Sequence, residues 1–181
     1  MVHFIEIESA LPSEGTGKNM HKELVVKRRD LEEAKDSFDY LDVIREKYNA
    51  LWAAEPQKFT ENFNDDQITL IFYGILYDQV RNGGFLQLIF NGYAPVIFSE
   101  PMVDGLKSWG AVPTAELIDS ITAISLRVDR EIDKTSLESL SNSYSQYPEF
   151  EEYDQAFYKN DGSEEVKDYV SGHLSDFIMV E

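Results

Sequence analysis

The sequence contains no cysteine, and this absence excludes several kinds of chemistry. Disulfide bonds, thiolate metal sites and cysteine nucleophiles cannot occur. Histidine is scarce as well: His3, His21 and His173 stand far apart, and none belongs to a paired arrangement typical of zinc sites. The sequence also lacks glycine-rich phosphate-binding patterns and a nucleophile elbow. We therefore expect no metal, no other cofactor and no catalytic residue of a known motif.

Long apolar segments are missing too. No run approaches the roughly 18 residues that a membrane-spanning helix needs. The first eight residues lack the basic start and the long apolar stretch of a signal peptide. We therefore expect a cytoplasmic protein that does not associate with membranes.

Positive charge is in short supply. Lysine and arginine number 16 against 34 aspartates and glutamates, which gives a net charge of −18. This balance argues against direct binding to nucleic acid or to an anionic membrane, because both require a basic surface. Hydrophobic residues nevertheless make up 43% of the 181 residues, so a packed core is expected rather than a disordered chain.

The negative charge is distributed unevenly. Residues 1–60 carry a net charge of −3, residues 61–130 carry −5, and residues 131–181 carry −10. The electric field of such an uneven charge distribution favours a basic protein surface as the partner and speeds the encounter with it. The alternative interpretation is that the acidic residues serve only solubility.

Apolar residues recur at intervals of three and four from residue 31 onward, which predicts amphipathic helices. The pattern favours a mainly α fold, a compact orthogonal bundle of about seven helices. Residues 1–30 differ: residues 3–8 alternate like a strand, and residues 24–26 are either its hairpin partner or the lead-in to a helix. We therefore predict an N-terminal extension over residues 1–30 and a helical domain over residues 31–181.

Several helix ends can be placed from single residues. Asp36 or Ser37 is a good starting cap, and Pro56 closes the helix that follows. Asn64 is predicted to cap the next helix. The pair Gly83 and Gly84 is predicted to end that helix, because glycine tolerates the left-handed backbone of a terminal cap.

The acidic C-terminal region has the spacing of a phosphate row. Carboxylates three or four residues apart on a helix rise by about 4.5 to 6 Å. Phosphates along one DNA strand advance by roughly 3.4 Å axially and lie somewhat further apart through space. Arginine and lysine side chains would donate to a row of carboxylates as they do to a row of phosphates. Four basic residues between residues 27 and 35 make the N-terminal helix a poorer match to a row of phosphates. The carboxylates predicted to contact a partner are Glu149, Glu151, Glu152, Asp154, Glu164, Glu165 and Asp168.

A second hypothesis is a small-ligand or enzymatic site. Asp78 and Asn82 lie four residues apart on a predicted helix and could share an acid–base role. With Gln87 and Asn91 they would have to converge around a concave pocket. The structural alternative is that Asn82 caps the helix and Asp78 bonds to the turn. A third hypothesis is an interaction domain in which charge has no role.

One segment resembles a known family. Its pattern is an acidic residue, then Asn-Gly-Gly-Phe, then glutamine, an aromatic residue and asparagine. The matching residues here are Asp78, Asn82, Gly83, Gly84, Phe85, Gln87, Phe90 and Asn91. A later acidic and aromatic group, Asp154, Phe157 and Tyr158, also fits. Over roughly residues 38–178 the chain resembles the bacterial DNA-mimic protein family, whose domain is otherwise of unknown function.

The resemblance implies a mainly helical homodimer without enzymatic activity. The studied kind of member is an acidic protein that occupies the DNA site of a transcription factor and so relieves repression. The resemblance further implies that the Asn82–Phe85 motif is structural, with glycine for the turn and Phe85 for the core. Contact with a basic DNA-binding protein would then fall on surface carboxylates.

Overall fold

A computed structural model describes residues 24–181, which are predominantly helical. Two short strands, β1 (Val25–Val26) and β2 (Met179–Val180), stand before and after the helices. The first helices are α1 (Arg28–Glu32), α2 (Ser37–Ala54), α3 (Phe59–Asn62), α4 (Asp65–Phe90) and α5 (Ala94–Ile97). The others are α6 (Glu100–Ser108), α7 (Val112–Glu131), α8 (Leu137–Gln146), α9 (Phe150–Lys159), α10 (Ser163–Gly172) and α11 (Leu174–Phe177). The predicted mainly α fold is confirmed.

The helices divide by length. Within the described residues, α2, α4, α6, α7, α8, α9 and α10 have nine residues or more, which agrees with about seven predicted helices. The four remaining helices have four or five residues. They were not predicted as separate elements, since so short a helix forms only when packing holds it.

Predicted caps set the starts of the two longest N-terminal helices. Asp36 accepts a hydrogen bond from the Asp39 N–H and begins α2. Asn64 and Gln67 form a reciprocal capping box at the start of α4. Pro56 follows the end of α2, where it begins a 3-10 turn. These three predictions are confirmed.

The strands form a two-stranded parallel sheet. Val25 lies opposite Met179 and Val26 lies opposite Val180. Of the two alternatives for residues 24–26, the structure has a strand, over Val25–Val26, and its described partner is β2. The other arm of the predicted hairpin, residues 3–8, lies outside the described residues. The boundary predicted between residues 30 and 31 stays a prediction, although Leu24 and Val26 are buried in the core.

Helix α4 lies at the centre of the fold. It packs against α2, α5, α6, α7, α8 and α9. Tyr48 of α2 and Tyr73 of α4 are fully buried. The Tyr48 hydroxyl donates to the Phe177 carbonyl at 2.8 Å, and the Gln67 Nε2 atom donates to the same oxygen at 2.9 Å. The buried polar groups of Tyr48 and Gln67 thus have hydrogen-bond partners, as burial requires.

None of the helices in residues 24–181 combines the length and the apolar character that crossing a membrane would require.

Candidate partner-binding surface

The Asn82–Phe85 motif interrupts α4 with a kink. Gly83 has φ −162° and ψ 25°, and Gly84 has φ 75° and ψ 178°, so two helical segments meet at a kink. The angles of Gly84 are open to glycine and strained for other residues. A Cβ atom on Gly84 would also lie 2.7 Å from Cγ of Asp154. The predicted interruption at the two glycines is confirmed, and residues 85–90 form a second helical segment beyond the kink, which the sequence did not predict.

Asp154 is a buried structural group rather than a surface carboxylate. It is 9% exposed, and its Oδ1 atom accepts the Phe85 N–H at 2.8 Å. This is the bond that a capping residue makes at the start of a helix, supplied here by a neighbouring helix. Burial raises the pKa of Asp154 to about 6, the Phe85 bond opposes the rise, and the Glu151 charge adds to it. We therefore leave Asp154 out of the proposed contact surface.

Two tyrosines bind further backbone groups at the kink. The Tyr158 hydroxyl of α9 donates to the Val80 carbonyl at 2.9 Å. The Tyr144 hydroxyl of α8 donates to the Gly83 carbonyl. A kink removes the helical partners of such groups, and unpaired backbone groups are costly when buried. The motif is therefore the attachment point for α8 and α9.

Two later motif residues hydrogen-bond across the kink. The amide nitrogens of Gln87 and Asn91 donate to Gln79 Oε1, at 3.3 and 2.6 Å. All three side chains are half-buried. A Cβ atom on Gly83 would lie 2.8 Å from Cδ of Gln87, so the glycine makes room for this contact. Gln87 and Asn91 thus connect the two halves of α4.

The acidic residue of the motif, Asp78, pairs with a buried arginine that sequence reasoning missed. Its Oδ2 atom lies 2.7 Å from Nη2 of Arg45, whose side chain is 7% exposed. Asp42 binds the same guanidinium at 2.5 Å, and the Phe38 ring centre lies 5.0 Å from it. These contacts offset the cost of burying the charge. A Cβ atom on Gly74 would overlap this guanidinium, which explains that glycine. Asp78 therefore anchors α4 to α2.

The four residues of the alternative small-ligand site do not line a described cavity. Asp78 pairs with the buried guanidinium, Asn82 is exposed, and Gln87 and Asn91 bind Gln79. Two surface concavities of about 510 and about 360 Å³ are lined by other residues. In the part of the chain that the structure describes, no cluster of His, Asp and Glu is placed to hold a metal ion. This geometry does not favour the alternative.

The predicted carboxylates at the start of α9 lie on the surface. Glu151 and Glu152 are exposed and Glu149 is partly exposed. None of the three forms an ion pair with a residue in 24–181. Their position at the helix N-terminus also stabilises them, because that end carries partial positive charge. They form a negative patch with no ion-pair partner among the described residues, here called the α9 patch.

The predicted carboxylates on α10 differ in their pairing. Glu164 and Asp168 are exposed, and Glu165 is partly buried. Asp168 lies 3.0 Å from the Lys167 ammonium, which compensates part of its charge. Glu164 and Glu165 have no ion pair with a described residue.

A further acidic row lies on α2, which sequence reasoning treated as unsuitable. Asp39, Asp42 and Glu46 are spaced three and four apart and so share one helix face. Burial raises the pKa of Asp42, the Arg45 charge opposes the rise, and the charges of Asp78, Glu46 and Asp39 add to it. The four basic residues between residues 27 and 35 belong to α1 and its flanks, not to α2. Helix α10 packs against α2. The spacing of three and four residues between these carboxylates was the sequence signal that could have identified the row.

The fold and this surface define an acidic helical protein whose motif residues brace a kinked central helix. Residues 61–173, more than half of the chain, match the DMP19-like protein family. The match includes the kink and the whole of α8, α9 and α10. The chain belongs to the DMP19-like protein family, which confirms the resemblance to the DNA-mimic family.

One relative has a curated name. The chain is 35% identical over 98 residues to DNA mimic protein DMP19 of Neisseria meningitidis serogroup B (strain ATCC BAA-335 / MC58). The matched segment covers 53% of this chain and 59% of the relative, so less than two thirds of the relative is represented.

Proposed function

We propose that this chain is a non-enzymatic acidic protein that mimics DNA and occupies the DNA-binding surface of a basic regulator such as a transcription factor. The observation that carries the proposal is the α9 patch, in a chain of net charge −18 whose named relative is a DNA mimic. Carboxylates at helical spacing offer arginine and lysine the contacts that phosphates give. Glu164 and Glu165 add negative charge on α10, which follows α9, and the acidic row adds it on α2, which packs against α10.

The polar motif supports a non-enzymatic role. Its side chains are engaged in bracing α4 and in anchoring it to α2, as the hydrogen bonds of Asp78, Gln87 and Asn91 indicate. A catalytic site would need such groups free to face a substrate.

The test is capture of partners from the host lysate on the immobilised full chain at low salt. The bound protein is then eluted with a salt gradient or with duplex DNA. We expect a basic DNA-binding protein that DNA releases, because the two ligands would compete for one surface. Binding should weaken steeply with salt, since ion contacts dominate. A partner that binds DNA and this chain together would overturn the proposal.

A matched pair of variants identifies the surface. The triple change Glu149→Gln, Glu151→Gln and Glu152→Gln removes the α9 patch. The control changes Asp104→Asn, Glu116→Gln and Asp119→Asn, which remove the same charge from exposed positions on α6 and α7. We expect the first variant to lose about tenfold in affinity for the captured partner, and the control much less. Equal affinity of both variants and the unchanged protein would favour an interaction domain without a role for charge.

The homodimer and the cytoplasmic location stay predictions. Light scattering of the purified full chain tests the first, and fractionation of host cells tests the second.

A further inference from the structure

A groove of about 360 Å³ lies between α6 and α7, and the connection from α5 to α6 contributes to its lining. Phe98 and Val103 line it although they are only 3% and 5% exposed, so they form an apolar floor. None of its described lining residues belongs to the Asn82–Phe85 motif or to the α9 patch. The volume lies in the range of small-molecule sites, which begins at about 300 Å³.

The walls of the groove carry an excess of negative charge. Glu100 and Asp104 of α6 and Asp119 of α7 line it, and all three are exposed. Lys107 of α6 belongs to the same lining. None of these four side chains forms an ion pair with a residue in 24–181. Three carboxylates and one ammonium group leave the lining with a net charge of −2, contributed by both helices.

Two hydroxyl groups in the lining can only accept hydrogen bonds from a ligand. Ser99 Oγ donates to the Val96 carbonyl at 2.6 Å, and Thr122 Oγ1 donates to the Ile118 carbonyl at 2.8 Å. A hydroxyl has a single proton, so each oxygen has only its acceptor capacity left. Apart from Lys107, every polar side chain among the described lining residues is therefore an acceptor. The hydroxyls thus point to a hydrogen-bond donor as the ligand, independently of the charges.

We propose that this α6–α7 groove binds an aliphatic diamine in its doubly protonated form. The methylene chain lies on the floor of Phe98 and Val103, and the two ammonium groups donate to the carboxylates of the two helices and to the hydroxyl oxygens. A charge of +2 on the diamine matches the −2 of the lining, and an alkylammonium group stays protonated near pH 7. Mg²⁺ has the same charge, but it keeps its bound waters and gains nothing from an apolar floor. This inference does not depend on the proposed function.

The experiment titrates the full chain with 1,4-diaminobutane, with magnesium chloride and with N-acetyl-lysine amide at constant ionic strength, followed by nitrogen–proton NMR. The blocked lysine represents a lysine side chain of a partner, which offers the same alkylammonium chemistry with one charge. We expect the diamine to shift the backbone amide signals of Asp104 and Thr122 to saturation. It should bind about threefold more tightly than either of the other two probes. The amides of Glu151 and Glu152 report general attraction of cations to an acidic chain and should shift little.

Three variants at exposed positions test the assignment. Asp119→Asn removes the α7 carboxylate and should weaken diamine binding about threefold, whereas Lys107→Gln removes a competing ammonium group and should strengthen it by about the same factor. Glu152→Gln, in the α9 patch, should leave the affinity unchanged. Shifts at Glu151 as large as those at Thr122, or weaker binding in Lys107→Gln, would overturn the inference. Binding of the blocked lysine as tight as that of the diamine would overturn it as well, in favour of a lysine of a partner.

Discussion

A single methyl group at position 84 would disturb both the backbone and a side-chain contact. Gly84→Ala must hold φ 75° and also place a Cβ atom against the Asp154 carboxyl. We expect the free energy of unfolding to fall by about 1–3 kcal/mol, measured by urea denaturation. The matched change Gly172→Ala has open space around the new Cβ. It should be neutral or slightly stabilising, by up to about 1 kcal/mol. Equal effects of the two changes would contradict this account of the kink.

Asp154 gives the stability a pH dependence of unusual sign. Its pKa is about 6 in the folded chain against an ordinary 3.8. A carboxyl with a raised folded pKa stabilises the fold below pH about 4, and this contribution is lost as the pH rises to about 6. Asp154→Asn keeps an oxygen acceptor for the Phe85 N–H and removes the ionisation. We therefore expect the variant to gain about 1–3 kcal/mol relative to the unchanged protein between pH 4 and pH 7.

Urea denaturation at several pH values measures this difference in the free energy of unfolding. The other carboxylates contribute equally in both proteins, so their contributions cancel. The control is Glu152→Gln, an exposed change two residues away on the same helix. Its difference from the unchanged protein should stay nearly constant over the same range. A constant difference for Asp154→Asn as well would show that Asp154 does not titrate with a raised pKa.

At the scale of elements, helix starts followed from local sequence. Asp36 and Asn64 cap their helices through bonds to residues three positions on, so the signal lies within one turn. The serine-rich stretch after Ser136 likewise forms α8 with a capping box of its own. Local chemistry was sufficient at each of these positions.

The return to helix after Gly84 could not be predicted from local sequence, although the interruption could. Glycine pairs commonly end helices, and here the helix resumes because Phe85 finds an acceptor in Asp154, 69 residues away. Arg45 was missed for the same reason, since Asp78 lies 33 residues beyond it. Contacts so distant along the chain leave no periodic pattern in the sequence.

The tyrosine bonds at the kink predict how firmly α9 is attached. Tyr158→Phe leaves the Val80 carbonyl without its side-chain donor, and we expect a loss of about 0.5–1.5 kcal/mol. Tyr144 is 40% exposed, so water can replace its hydroxyl in Tyr144→Phe and the loss should be smaller. Hydrogen exchange of the α8 and α9 amides measures both effects. A larger effect for Tyr144→Phe would mean that α8, rather than α9, depends more on the kink.

At the scale of the whole molecule, a net charge of −18 opposes the compact state. Sodium chloride shortens the range of this repulsion from roughly 30 Å at 0.01 M to roughly 3 Å at 1 M. We expect the melting temperature to rise by about 3 °C between low salt and 0.5 M sodium chloride. Potassium chloride should act equally. A fall in melting temperature would mean that local pairs such as Arg81–Asp161 outweigh the general repulsion.

The candidate surface was predictable in part. Counting charges directed attention to residues 131–181, where Glu151, Glu152 and Glu164 are exposed as expected. Counting could not show that Asp154 points inward or that Asp168 has a neighbouring ammonium group. It also overlooked the acidic row on α2, because the average over residues 1–60 includes the basic residues of α1.

The parallel pairing of β1 with β2 bears on how the chain folds during synthesis. One strand precedes all the described helices and the other follows them, so the pair forms only after the helical region has left the ribosome. Until then the β1 backbone cannot bond to β2. Leu24, which precedes β1, and Val26 within it are not yet packed in the complete core. The pairing is therefore a late step of synthesis, and in a nascent chain stalled before residue 179 the edge of β1 that bonds to β2 is without this partner.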